Sequence, residues 1–355
     1  MGKDTAMIAM SGGVDSSVAA WLTIQEGFSC MGATMRLYDG PEAVCGSAAA
    51  LEDARSIAQK LQMPFHVFDM TREFSGCVID DFIRCYETGL TPNPCIRCNQ
   101  HMKFSAFLDK ALELGCRYIV TGHYARIAQD PATGRFLMYK AADSAKDQSY
   151  FLYALTQRQI SHVRFPLGSM TKEEVRAIAE AQGFVNAKKR DSQDICFVPD
   201  GDYYGFLQRR TGRTYPTGDF LDLEGNVVGK HQGAPAYTLG QRKGLGIAMG
   251  APVYVCAKDM DANTVTVGPN DALFHKALRA RDWFFFPFEN LTQPIRCMAK
   301  ARSRMAEQPA TVYPEENGFC RVEFDQPQRA LTPGQAVVLY DGDLVIGGGT
   351  VTEIL

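Results

Sequence analysis

The run Ala6-Met7-Ile8-Ala9-Met10, followed at once by Ser11-Gly12-Gly13-Val14-Asp15-Ser16-Ser17, most narrows what this chain can become. Five apolar residues in a row read as a buried strand. Val14, Val18 and Leu22 then recur at helical spacing. Strand, glycine turn and helix together make an anion cradle. The glycines let backbone N–H groups close on a phosphate, and the helix N-terminus adds partial positive charge. No Gly-Lys-Ser/Thr follows the glycines, so this is not a Walker A loop, and a dinucleotide fingerprint would need a third glycine. The hydroxyls of Ser11, Ser16 and Ser17 suit a close grip on a pyrophosphate. On these residues alone, an ordinary strand-to-helix turn remains an alternative.

The pattern repeats downstream. Residues 29–37 read as a second strand and 48–61 as a helix with Leu51, Ala54, Ile57, Ala58 and Leu61 on one stripe. Pro64 ends that pattern, and Phe65-His66-Val67-Phe68 reads as a third strand. Helices are expected over 76–88 and 103–114, and a strand at Tyr118-Ile119-Val120-Thr121. Strands alternating with helices imply a parallel sheet covered on both faces, with ligands at the carboxyl ends of the strands. Thr171-Lys172-Glu173-Glu174 is a capping box, stapled by Met170 and Val175, with Gly183 as its stop; it is read as architecture. Beyond about residue 200, β-branched runs and turn signals such as Glu224-Gly225, Pro333-Gly334 and Asp341-Gly342 predict β-rich structure, in two small units.

The 355 residues, 46% hydrophobic and 22% charged, suffice for two or three globular domains. No basic-then-apolar leader is present, so a soluble cytoplasmic protein with no membrane partner is expected. The net charge of −3 gives no global sign of nucleic acid, so any RNA contact must come from local patches. Residues 276–304 hold Lys276, Arg279, Arg281, Arg296, Lys300, Arg302 and Arg304 against Asp282 and Glu289. Residues 225–250 hold Lys230, Arg242 and Lys243 and no acid. A solvated face and phosphate contact both fit; clustering in an acidic chain favours the second.

Eleven cysteines, an odd number with no small-domain framework, indicate reduced thiols. In Thr91-Pro92-Asn93-Pro94-Cys95-Ile96-Arg97-Cys98-Asn99, two prolines stiffen the approach to a Cys-x-x-Cys pair. With Asn99 as helix N-cap, Cys98 would sit where the dipole favours thiolate. A zinc site needs a second pair, and none occurs; His101 and a distant cysteine are a weaker option. Cys196 follows Lys188-Lys189-Arg190-Asp191-Ser192-Gln193-Asp194 and gains interest from that cationic approach. Cys30, Cys77, Cys85, Cys116, Cys256, Cys297 and Cys320 lie in apolar patterns and read as core; Cys45 stays undecided.

The stretch Ala9–Ser17 resembles the PP-loop of ATP pyrophosphatases, which split ATP into AMP and pyrophosphate. Taken in order with Asn93–Asn99, Thr121-Gly122-His123-Tyr124-Ala125, Lys146-Asp147-Gln148-Ser149-Tyr150-Phe151-Leu152, Asp191–Phe197, Gly229-Lys230-His231-Gln232-Gly233 and Tyr237–Gly246, it makes nearly the whole chain resemble the tRNA-specific 2-thiouridylase family (MnmA/TrmU). The resemblance implies an α/β fold: a parallel-sheet PP-loop domain of the Rossmann-like adenine nucleotide hydrolase type over 1–200. A small β-rich central domain over 201–275 and a tRNA-contacting C-terminal β-barrel over 276–355 would follow. It further implies ATP with Mg at Ala9, Met10, Ser11, Gly12, Gly13, Val14, Asp15, Ser16, Met35 and Gly122. Cys98 would be the nucleophile and Cys196 the persulfide carrier, with Asn93, Pro94 and Cys95 facing the target base. His123, Lys146, Asp147, Gln148, Arg302, Ser303 and Gln335 would contact tRNA. Two positions depart from the family: Cys95 stands where many members have an Asp that is a candidate proton carrier, and Ser303 where an aromatic residue is usual.

The implied activity is ATP-dependent 2-thiolation of the wobble uridine of tRNA. The uracil C2 oxygen is adenylated so that it can leave as AMP, and sulfur from a cysteine persulfide replaces it. The donor would be a cysteine desulfurase or sulfur-relay protein. Because Cys95 joins Cys98 and Cys196, a [4Fe–4S] cluster on three thiolates is the variant mechanism. A PP-loop ligase adenylating a small metabolite, a non-catalytic nucleotide module and an iron–sulfur reductase of adenylated sulfate are the rivals. The cysteine pair and the basic β-rich tail disfavour the first. Tests with and without tRNA separate the other two.

Overall fold

The computed structural model describes residues 4–38, 47–189 and 195–355. Its first sheet is built from β1 (Thr5–Ala9), β2 (Ser29–Arg36), β3 (Phe65–Asp69), β4 (Tyr118–Val120) and β7 (Val163–Arg164). They are parallel throughout and ordered β3-β2-β1-β4-β7. The central strand is apolar on both faces, as a doubly covered strand must be. Met7 enters one apolar cluster with Ile119, Phe74, Phe82, Phe104 and Phe107. Ala6 and Ile8 enter another, with Val14, Val18, Ala54, Ile57 and Val175. The chain steps from β1 outward to β3 and then returns to β4, so the switch point lies between β1 and β4, where such sheets open a ligand crevice.

The covering helices include α1 (Val14–Gln25) and α2 (Ala48–Lys60). Two longer runs follow, each with a π-helical middle. The first comprises α3 (Thr71–Phe74), a π segment Ser75–Ile79 and α4 (Asp80–Glu87). The second comprises α5 (Pro94–Arg97), a π segment Cys98–Ala106 and α6 (Phe107–Glu113). Helices expected at 76–88 and 103–114 therefore begin earlier. In the second case Pro94 explains it: at the first helical position proline loses no hydrogen bond and its φ is already helical. α7 (Gln157–Ser161) and α8 (Lys172–Ala181) both carry capping boxes, the latter at Thr171 and Glu174 as its sequence predicts. α9 (Tyr203–Thr211) leads out of this layer.

The β-rich remainder forms two sheets. β8 (Gly218–Leu221), β9 (Val227–His231), β10 (Tyr254–Asp259) and β11 (Thr264–Gly268) pair in the order β10-β11-β8-β9 around Phe220, Tyr237, Val255, Val265 and Val267. β12 (Phe274–Phe285), β13 (Ile295–Lys300), β14 (Gln308–Pro314), β15 (Cys320–Arg329), β16 (Ala336–Asp341) and β17 (Leu344–Ile354) close into a six-stranded barrel through the β12–β17 pairing. A hairpin of β5 (Arg126–Gln129) and β6 (Phe136–Tyr139), inserted in the first layer's sequence, joins the barrel by pairing Tyr139 with Leu344 and Met138 with Val345. That pairing is not legible in the sequence of the hairpin. No helix among the described residues is long and apolar enough to cross a membrane.

Candidate active site

Beyond Ala9 the chain turns through Ser11, Gly12 and Gly13 into α1, with Gly13 as N-cap. Gly12 has φ +71°, and a Cβ there would lie 2.2 Å from the Ala50 carbonyl oxygen, so only glycine fits. Ser16 Oγ donates to the Gly13 carbonyl (2.9 Å), and Ser11 N donates to Ser16 Oγ (3.3 Å). Ser17 corrects the sequence reading. It is buried, donates to Gly13 O (3.2 Å) and receives Asn186 Nδ2 (2.9 Å), which also donates to Gly12 O (3.2 Å). It braces the turn from beneath instead of gripping a ligand.

The turn forms one wall of a cavity of about 200 Å³ at the switch point. Ala9, Met10, Ser11, Asp15 and Ser16 line it, with Thr34, Met35 and Leu37 from the end of β2. Thr121, Gly122 and His123, just beyond β4, face them, and Gln148 and Lys103 complete the wall. A Cβ on Gly122 would come within 2.8 Å of the Asp15 backbone, so the two loops meet at a glycine. Gly12, Gly13 and Val14 are not in the lining; Val14 is buried in the apolar cluster under α1.

Asp15 is the acidic residue of the cavity wall. Lys172 Nζ donates to both of its carboxylate oxygens, at 2.7 and 2.8 Å, and Tyr124 Oη donates to one at 2.9 Å. Lys172 is 8% exposed. A second lysine, Lys189, donates to Gly12 O (3.2 Å) and to Asp53 Oδ2 (2.8 Å). The loop contains no lysine of its own, and these cations reach it from residues 172 and 189. Sequence reading missed them, along with Tyr124, Asn186 and Lys103. For Lys172 a signal existed: a lysine beside a capping threonine, whose aliphatic stem can be buried while its head reaches a carboxylate.

His123 is fixed by a 2.7 Å contact between its Nδ1 and Thr121 Oγ1 and by packing against Phe104 and Phe165. Burial, with the Lys103 ammonium nearby, holds its pKa well below the ordinary histidine value. It is therefore neutral near pH 7, and any contact it makes with an anionic ligand is a hydrogen bond, not an ion pair.

The cysteines fall into different environments. The helix starts at Pro94 with Asn93 as N-cap, so Cys95, not Cys98, lies in its first turn. Asn99, expected as the cap, is instead buried and donates its Nδ2 to Phe151 O (3.0 Å). Cys95 is exposed, Cys98 is buried within the apolar cluster beneath the sheet, and half-buried Cys196 packs against that same cluster. Among the described residues no three His, Cys, Asp or Glu side chains gather as a metal position. Cys95, Cys98 and Cys196 thus do not fit a three-thiolate cluster in this conformation. Burial pushes the thiols of Cys30, Cys85 and Cys320 up to about 11 and that of Cys297 up to about 12, consistent with a packing role. Cys77, expected in the core, is exposed. Cys45 and Arg190–Asp194 lie outside the described residues.

Of the residues expected to meet tRNA, His123 and Gln148 line the cavity. Gln148 Oε1 also accepts from Tyr124 N (3.0 Å). Half-buried Lys146 lies two residues away. Asp147 accepts from Ala141 N (2.9 Å) and Ser149 Oγ (2.7 Å), which fixes the turn carrying both neighbours. Gln335 Nε2 donates to Thr91 O (2.8 Å) and Pro92 O (3.3 Å), tying the barrel to the approach to Asn93 and Cys95. Arg302 is turned inward, donating to Leu239 O (3.3 Å) and to Thr332 Oγ1, with half-buried Ser303 beside it. The basic window 276–304 is less positive in space than in sequence. Arg279 pairs with Glu315 and Glu353, and Arg296 pairs with Asp325.

A family model described as the tRNA methyl transferase HUP domain matches residues 4–200. Models described as the tRNA methyl transferase PRC-barrel domain and the aminomethyltransferase beta-barrel domain match 204–269 and 275–351. A tRNA-specific 2-thiouridylase MnmA of Symbiobacterium thermophilum is 50% identical over 98% of this chain and 92% of its own length. Relatives of the same name from Acetivibrio thermocellus (47%; 99% of this chain, 100% of the relative) and Clostridioides difficile (46%; 98% of each) match as fully. Among solved structures, a 4-thiouridine synthetase–RNA complex with bound ATP aligns over 59% of this chain and 50% of its own at 20% identity, with a TM-score of 0.36. Full-length identity near one half with proteins of a single name, on a fold with an ATP-type loop at its switch point, settles kinship: this chain belongs to the tRNA-specific 2-thiouridylase family, a family of tRNA sulfurtransferases.

Proposed function

We propose that the protein converts the wobble uridine of tRNA to 2-thiouridine, with ATP activating the uracil C2 oxygen. The observation that carries this reading is the shared cavity. One crevice is lined by the PP-loop residues Ser11, Asp15 and Ser16, by Met35 and Gly122, and by His123 and Gln148, which the family assigns to tRNA. In the first step the C2 oxygen attacks the α-phosphorus of ATP, and the bond to the β-phosphate oxygen breaks with its electron pair leaving on pyrophosphate. Backbone N–H groups of the turn and the start of α1 hold that charge. Asp15, once released from Lys172, would hold Mg2+ against the phosphates, where the ion would offset their charge.

In the second step the terminal sulfur of a persulfide on Cys196 attacks C2, and the C2–O bond breaks to release AMP. The Cys98 thiolate then attacks Cys196 Sγ. The S–S bond to the transferred sulfur breaks with its electron pair left on the product sulfur, and a Cys98–Cys196 disulfide remains for an external thiol to reduce. Such a bond needs Cα atoms about 5.5–6 Å apart; both residues border one apolar cluster, which supports the pairing. Asn93, Pro94 and Cys95 would face the base. The base must leave its stack to reach the crevice. With no carboxylate at position 95, neutral His123 in the cavity wall is the group that would carry the proton. Chain segments 1–200, 201–275 and 276–355 would serve as catalytic, central and tRNA-contacting domains. A cysteine desulfurase or sulfur-relay protein would supply the persulfide.

The test is incubation of the protein with ATP, Mg2+, a persulfide donor and unmodified tRNA. Pyrophosphate release and nucleoside mass are followed with and without tRNA. Release that requires tRNA, together with 2-thiouridine in the digest, is expected. Pyrophosphate release with a small metabolite and no tRNA would replace this reading with that of a PP-loop ligase.

A further inference from the structure

Three stretches of this chain hold no Asp or Glu: 225–258, 290–306 and 326–340. They lie apart in the sequence, and the fold brings them to one seam between the central sheet and the barrel. Arg302 Nη2 donates to Leu239 O (3.3 Å) and to Thr332 Oγ1. Gly240, at φ +83°, passes so near the barrel that a Cβ on it would lie 3.0 Å from Ala330 Cβ and 3.6 Å from Arg329 Nη1. All three stretches thus contribute to the seam, and each arrives without a carboxylate of its own.

The cations of these stretches divide by what they touch. Lys230 pairs with Asp219 and Arg296 with Asp325, so both are matched. Half-buried Lys258 donates to Tyr237 O (2.9 Å). Arg242, Lys243 and Arg304 are exposed, and among the described residues none of them forms an ion pair or a side-chain hydrogen bond. Exposed Arg329 donates its Nε to Asn270 Oδ1 (2.9 Å) and lies 5.1 Å over the Tyr254 ring; among the described residues no carboxylate pairs with it either. Burial holds the Arg302 pKa below its ordinary value, and the Arg329 charge lowers it further, so positive charges here meet one another.

The turn that carries Arg242 and Lys243 is held at both ends. Gly240 N donates to Val255 O (2.8 Å), and Val255 N donates to Gln241 O (3.0 Å). Gln241 Oε1 accepts from Thr238 N and its Nε2 donates to Lys243 O, each at 3.0 Å. Leu245 is buried in the apolar cluster of the central sheet. Two adjacent cations on a braced turn, beside two arginines of the barrel, are a standing excess of positive charge. Such a cluster repels itself in the free protein. A polyanion laid across it relieves that repulsion and releases its own counterions. The seam also leads to the target segment. Thr332 stands three residues before Gln335, a span of about 10 Å at most, and Gln335 Nε2 reaches Thr91 O (2.8 Å), two residues from Asn93.

Resting on the thiolation reading above, we propose that Arg242, Lys243, Arg304 and Arg329 form one phosphate-binding surface, which takes the sugar–phosphate backbone of the tRNA arm that carries the wobble uridine. Arg302, turned inward, is the strut that joins its two sides. The four cations hold the RNA by charge and read no base, so they set affinity and position.

The experiment titrates labelled tRNA with the full-length parent, with Arg242→Gln/Lys243→Gln, with Arg304→Gln, and with Lys110→Gln, which removes a charge that Glu113 already matches. The dissociation constant is read across a salt series, beside thermal melting and the binding of a non-hydrolysable ATP analogue. Each phosphate contact contributes about 0.7–0.9 to the slope of log K against log salt. The double variant should therefore lose about 1.4–1.8 from the slope and bind at least about tenfold more weakly at about 0.1 M salt, with Arg304→Gln losing about half as much slope. Melting and analogue binding should match the parent in every variant. A slope loss below about 0.5 in the double variant overturns the proposal, as does an equal loss in Lys110→Gln, which would report net charge alone. An isolated anticodon stem–loop should show the same loss as full-length tRNA; a loss seen with full-length tRNA alone puts the contact on another arm and overturns the placement. If the parent makes no 2-thiouridine, the functional reading fails and this one with it. A parent that does so, beside an unchanged slope in the double variant, refutes the surface alone.

Discussion

The PP-loop and the cysteine helix lie on either side of one cavity, and they are built in opposite ways. The loop is fixed by its own backbone. Gly12 and Gly122 are jammed against Ala50 and Asp15, the serine hydroxyls are tied to Gly13 O, and Asn186, Lys172 and Lys189 close on it from later in the chain. The cysteine side holds three thiols in three environments: exposed Cys95 and buried Cys98 on a helix with a π-helical middle, and half-buried Cys196 on a later turn of the chain. The nucleotide half is braced before any substrate arrives, with the Asp15–Lys172 pair the one contact that Mg2+ would replace. The sulfur half draws on two segments of the chain, and a disulfide between them requires a tight approach. Pre-organised donors stabilise charge cheaply.

The sharpest way to break this contrast is at the thiols. Cys98→Ser and Cys196→Ser should each abolish 2-thiouridine, by more than about 10³-fold on the scale of lost nucleophiles, while an ATP analogue still binds as in the parent. Normal thionucleoside content in cells with either variant as sole copy would dissolve the distinction. At the loop, Gly12→Ala should act on binding and folding together. The approach of the new Cβ to 2.2 Å from Ala50 O and the positive φ cost about 2–4 kcal/mol, to be read as a lower melting temperature and weaker ATP binding; an unchanged ATP affinity would contradict a preformed turn.

Lys172→Met should destabilise by about 2 kcal/mol, because it leaves the Asp15 carboxylate without its nearest cation. The double variant Asp15→Asn/Lys172→Met should regain stability without activity, and denaturant titration beside a pyrophosphate assay reads both. The smallest effect concerns pH. The His123 pKa is lowered in the folded state, so below the unfolded value of about 6.5 the unfolded chain binds the proton first. That contribution is present above pH 6.5 and is lost as pH falls toward the lower folded pKa. His123→Gln should flatten the melting temperature between pH 7 and pH 5.5 relative to the parent; parallel curves would show that the ring is not protected.

What was readable in the sequence follows the range of the forces involved. Strand β1, the glycine turn and the Thr171–Glu174 box are set by neighbours within about four residues, and the structure has them where the pattern puts them. Cys98 was misplaced because Asn99 is a plausible cap by composition, while Pro94 starts the helix earlier and the Phe151 carbonyl takes the Asn99 amide. The π segments, the Lys172–Asp15 pair across 157 residues and the cancelling of Arg279 and Arg296 by distant acids are tertiary facts. A linear charge window cannot register them.

The hairpin Arg126–Tyr139 has a consequence for anyone who would take the molecule apart. Its second strand, β6, is stitched to β17, so a fragment stopping near residue 200 would carry a naked strand edge, and the barrel expressed alone would expose the seam that the hairpin covers. Either piece would offer unsatisfied ladder groups to its own copies and tend to clump. The first layer and the barrel are best regarded as co-dependent in folding: the hairpin of the one stays bare until β17 of the other is in place.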